Sequence, residues 1–99
     1  MSNIRIPEIP PKNDHGRRVV IVIDDDEISR SLAARALKSE FEVFTFESPI
    51  EALRRAEVEF PYLIMLDVHM PNIDGYEVLR LFRSHPATSS TPIICMSIR

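Results

Sequence analysis

Apolar positions along the chain follow two rhythms. Val19-Val20-Ile21-Val22-Ile23 and Tyr62-Leu63-Ile64-Met65-Leu66 are unbroken apolar runs. Each is too short for a buried helix and reads as a strand covered on both faces. Glu42 to Phe46 alternates in part and predicts a second, less buried strand, and Pro92 to Ser97 predicts a fourth. Between these runs the spacing turns helical. Ile28, Leu32, Ala33, Ala36 and Leu37 form one apolar stripe on a helix from about Glu27 to Lys38. Ser48-Pro49 opens a second helix, with Ser48 as N-cap, Pro49 in the first turn and Glu51 closing a capping box. It turns Ala52, Leu53 and Ala56 inward and ends before Phe60-Pro61. A third helix follows Asp74-Gly75, carries Val78, Leu79 and Phe82 on one face, and stops at His85-Pro86. The order βαβαβαβ implies a parallel sheet with right-handed crossovers and helices on both faces.

Residues 1–17 hold Pro7, Pro10, Pro11 and Gly16 with no sustained period, and predict a flexible tail. Residues 18–99 are then a single domain. A net charge of −3 with scattered basic residues argues against a nucleic-acid surface. No apolar stretch approaches a membrane span and no signal-peptide layout is present, so the expected location is cytoplasmic. Cys95, the single cysteine, lies in an apolar run and is expected to be a small core residue. His15, His69 and His85 lack the paired spacing of a zinc site.

The charged positions add chemistry. The first strand ends in Asp24-Asp25-Asp26-Glu27 and the third in Asp67, followed by the loop Pro71 to Gly75. In an open α/β sheet, ligands bind beyond the carboxyl ends of the strands. One aspartate there can simply cap a turn, and Asp26 or Asp25 can cap the first helix. Capping does not account for the whole cluster. Two ionised carboxylates about 5 Å apart repel by about 3 kcal/mol at an effective dielectric near 20. A hard divalent cation relieves that repulsion, and Mg²⁺ takes one or two carboxylates with waters and phosphate oxygens.

Three motifs in order carry a resemblance: the acidic pair after strand one, Asp67 followed by x-x-Met-Pro-x-x-Asp-Gly, and Pro-Ile-Ile-x-x-Ser in strand four. From about Arg18 to Ser97 the chain resembles the receiver domains of two-component response regulators. The resemblance implies a flavodoxin-like (CheY-like) doubly wound parallel sheet of order 2-1-3-4. It implies Asp67 as phosphoacceptor, Asp24 and Asp25 as the acidic pair that places Mg²⁺, and His69 as the residue whose backbone carbonyl completes the metal shell. Ser97 falls on the hydroxyl that senses the phosphoryl group, and Pro71 and Gly75 on the rigid loop. The implied partner is a sensor histidine kinase or phosphotransfer protein. The family's fifth strand, with its lysine and aromatic switch, and its fifth helix have no counterpart here, and Ile98 stands where a small residue is usual.

Two other readings compete. A truncated receiver that is never phosphorylated would serve as a protein-interaction module, and an exposed fourth strand would invite self-association. A metal-dependent aspartate phosphatase would need an acid/base carboxylate two residues after Asp67, where His69 stands. The expectation is therefore a signalling domain rather than an enzyme, with no direct contact to nucleic acid or membrane.

Overall fold

A computed structural model describes residues 16–71 and 73–96. The elements run β1 (Arg18–Ile23), α1 (Glu27–Leu37), β2 (Phe41–Phe46), α2 (Pro49–Glu59), β3 (Leu63–Asp67), α3 (Gly75–Ser84) and β4 (Ile93–Met96). The four strands form one sheet in the order β2-β1-β3-β4, all pairs parallel. This is the doubly wound order expected. The tail up to residue 15 lies outside the described residues, as do Ser97 and Ile98.

β1 sits at the centre, and Val20 to Ile23 are fully buried. Val19, Ile21 and Ile23 on one of its faces join Ile64 and Leu66 of β3, Ala52, Leu53 and Ala56 of α2, and Val78 and Phe82 of α3 in one core. Val20 and Val22 alternate to the other face, and α1 lies against β1 and β2. Two-sided burial is therefore realised in β1. In β3 it is partial, because Ile64 and Leu66 are buried while Leu63 and Met65 are half-buried.

The α1 stripe departs from expectation. No residue of α1 is buried, and Ile28 and Leu32 are 69% and 60% exposed. Its less exposed residues are Ser29, Arg30, Ala33, Ala34 and Leu37, the last four spaced i, i+3, i+4 and i+7. The apolar positions of α1 thus span more of its circumference than the sheet covers. Cys95 also departs: it is exposed. It pairs in register with Leu66 and lines an open cavity of about 540 Å³ together with Tyr76 and Leu79 of α3.

Both ends of α2 show local conflicts. Ser48 occupies the N-cap, but its side chain makes no capping hydrogen bond. Phe60 takes the C-cap with φ +49°, a left-handed position usually given to glycine. The loop after α3 is tied down by side chains. Arg83 donates to the carbonyls of Thr91 (2.6 Å), Thr88 (3.2 Å) and Ser89 (3.3 Å), and the buried Thr88 hydroxyl donates to the Phe82 carbonyl. That loop delivers β4 to the sheet beside β3.

Candidate functional site

The carboxyl ends of β1 and β3 are neighbours because Ile23 is in register with Leu66. Asp24 and Asp67 continue from those positions, and both are only 3% exposed. Asp25 is half-buried. One carboxylate oxygen from each of Asp24, Asp25 and Asp67 lies within 4.8 Å of the other two. The structure thus brings together the three acidic residues singled out in the sequence, from two segments more than 40 positions apart.

Short local bonds hold Asp24 and Asp67 and cap α1 beside them. The Asp26 N–H donates to Asp24 Oδ1 at 2.9 Å, folding the chain tightly where β1 ends. Asp26 is the N-cap of α1: its Oδ2 accepts from the Ser29 N–H at 2.9 Å and the Ser29 hydroxyl at 2.7 Å. One aspartate of the run is thus a capping residue, as residue type and position suggested. The His69 N–H donates to Asp67 Oδ1 at 2.9 Å, leaving the imidazole exposed. The β3–α3 loop is packed closely, since a Cβ on Gly75 would sit 3.2 Å from Val68 Cβ and Cγ1. Asp74 caps α3 by accepting from the Tyr76 N–H. Ser97, the expected hydroxyl, lies outside the described residues.

Periodicity missed one residue beside the site. Arg30 Nη1 donates to the Asp24 carbonyl at 2.8 Å and lies 4.0 Å from a Glu47 carboxylate oxygen. Its only sequence signal was a position on α1 less than two turns after the acidic run.

Three carboxylates converge at the strand ends of a 2-1-3-4 sheet, an all-oxygen arrangement that could hold a hard cation. The family profile for the response regulator receiver domain matches residues 20–99. The chain belongs to that family. This receiver is 35% identical over 79 residues to PilG of Pseudomonas aeruginosa, covering 79% of this chain and 58% of PilG. It is 33% identical over 95 residues to RcaC of Microchaete diplosiphon, covering 96% of this chain and 14% of RcaC. Among solved structures, the chemotaxis response regulator CheY4 of Vibrio cholerae aligns with a TM-score of 0.73 at 29% identity, covering 80% of this chain and 67% of that one. The receiver domain of a Pseudomonas aeruginosa sensor histidine kinase, solved with a magnesium ion in its active-site cleft, aligns at 0.72 and 25% identity, covering 80% and 66%. This receiver therefore spans only part of the curated relatives it matches. Among the described residues no helix is long and apolar enough to cross a membrane.

Proposed function

We propose that this receiver accepts a phosphoryl group on Asp67 from the phosphohistidine of a sensor histidine kinase or phosphotransfer protein, in the cytoplasm and in the presence of Mg²⁺. The observation that carries this reading is the convergence of Asp24, Asp25 and Asp67 at the carboxyl ends of two adjacent strands. Three clustered carboxylates are an all-oxygen donor set, which suits a hard divalent ion and not a soft one. Asp24, Asp25 and Asp67 would hold it, with the His69 backbone carbonyl. When bound, the ion supplies positive charge against the phosphoryl oxygens.

The remaining chemistry belongs to the chain. An Asp67 carboxylate oxygen forms a bond to phosphorus as the donor's P–N bond breaks, and the electron pair leaves with the imidazole. Phosphoryl transfer asks the protein chiefly for positioning and charge neutralisation. The reading is supported by the position of Asp67 at the end of β3 and by the His69 N–H, which holds one of its carboxylate oxygens at 2.9 Å. Ser97 is the proposed hydroxyl that reads the product.

Treatment with a small phosphodonor and Mg²⁺ should give an adduct that hydroxylamine removes, as expected for an acyl phosphate. An adduct stable to hydroxylamine would place the modification on a hydroxyl instead. A second reading, an unphosphorylated interaction module, is favoured by the exposed Ile94 on β4 and the exposed Ile28 and Leu32 on α1. It predicts partner association with no phosphorylation at any Mg²⁺ concentration.

A further inference from the structure

We infer that Arg30 is a positioning residue that keeps the acidic trio assembled before a cation arrives. The inference rests on the reading of Asp24, Asp25 and Asp67 as a cation-dependent site. Arg30 leaves α1 one turn in, yet its guanidinium turns back toward the strand ends, and the side chain is only 18% exposed. Nη1 donates to the Asp24 carbonyl at 2.8 Å, and the same nitrogen lies 4.0 Å from Glu47, the residue after β2. The Asp24 N–H donates to the Phe46 carbonyl at the end of β2. The Asp24 peptide groups are therefore held on both sides, by β2 through the N–H and by α1 through the carbonyl. The Arg30 N–H closes the arrangement by donating to the Asp26 carbonyl. Without a cation, mutual repulsion of the three carboxylates pushes this loop outward. The Arg30 contact opposes that motion at the carbonyl joining Asp24 to Asp25.

Two roles for Arg30 predict opposite signs. As a mere nearby charge it repels a cation, so Arg30→Met would tighten Mg²⁺ binding. As a tether it preorganises the ligands, so Arg30→Met would weaken binding, by about tenfold if it resembles other outer-shell contacts. The experiment is direct Mg²⁺ titration of the full chain, wild type and Arg30→Met, together with the Mg²⁺ dependence of phosphorylation by a small phosphodonor. The expected result is a weaker Kd and a half-saturating Mg²⁺ concentration raised in the same proportion. Arg30→Lys, which keeps the charge and one donor, should recover part of the loss, and it serves alone if the Met variant does not fold. Unchanged or tighter binding in Arg30→Met overturns the inference. So does a fall in phosphorylation at saturating Mg²⁺ with the Kd unchanged, which would put Arg30 on the phosphoryl group. Failure of the underlying reading is distinguishable, because wild type itself would then bind no Mg²⁺.

Discussion

Replacing Asp25 by Asn removes one charge from the site while keeping the side chain's size and shape. Asp24 and Asp67 each accept a backbone N–H that shapes a turn, so changing either would also disturb the loop. Asp25 is half-buried and takes part in two of the three carboxylate pairs that fall within 4.8 Å. At that separation each pair repels by about 3.5 kcal/mol at an effective dielectric of 20, and by about 1 kcal/mol in bulk water. With Asp25 partly solvated, removing its charge should stabilise the metal-free protein by about 2 kcal/mol, the lower end of that range for two pairs. For a chain of this size each kcal/mol is worth about 4–8 °C in Tm. In chelator, Asp25→Asn should therefore melt about 8–16 °C above wild type. With Mg²⁺ the gap should narrow. An ion at ten times its Kd stabilises wild type by about 1.4 kcal/mol, and the variant should lose most of that gain. Thermal melts with and without Mg²⁺ measure both effects. If Asp25→Asn melted no higher than wild type in chelator and kept the full Mg²⁺ shift, the carboxylates would not be coupled as described.

Four further outcomes follow from particular contacts. Phe60→Gly should stabilise the protein by about 0.5–1 kcal/mol in urea unfolding, because it relieves a left-handed conformation at the α2 C-cap; a loss of stability would mean the exposed ring packs more than its 54% exposure indicates. Thr88→Val removes one of two donors to the Phe82 carbonyl, the His85 N–H being the other, and should cost about 0.5–1.5 kcal/mol by the same assay, with a near-zero change refuting that bond's importance. Gly75→Ala should slow phosphorylation without unfolding the chain, since the added Cβ presses on Val68 next to Asp67; an unchanged rate would show that the loop yields freely. Ile94, 49% exposed on β4, is proposed to support self-association, so sedimentation at micromolar concentration should show association that Ile94→Lys reduces, and a strictly monomeric wild type would contradict it.

The sequence was most legible where burial is uniform or a local bond is sufficient. β1 is a run of β-branched residues, and it lies at the sheet centre with both faces closed. Asp26 at the α1 N-cap follows from residue type and the turn it precedes, whereas the Asp74 cap of α3 emerged only from the structure. The acidic trio was legible because Asp67 ends β3, Asp24 and Asp25 directly follow β1, and parallel order brings those ends together. What failed was cover. Ile28, Leu32 and Cys95 belong to apolar patterns, and pattern alone does not say whether another element lies over them. Arg30 escaped for the opposite reason: its role depends on a guanidinium reaching back to a carbonyl six residues earlier, which no hydropathy period encodes. Ser48 illustrates the limit of capping rules, since the right residue sits at the N-cap without making the bond.

The central claim is that Asp67 is the phosphoacceptor of this receiver. Intact mass spectrometry of wild type and Asp67→Asn after incubation with a small phosphodonor, with Mg²⁺ and with chelator, tests it most directly. The account predicts a single phosphoryl adduct on wild type that requires Mg²⁺, and none on Asp67→Asn under either condition. An adduct of equal yield on Asp67→Asn would contradict it.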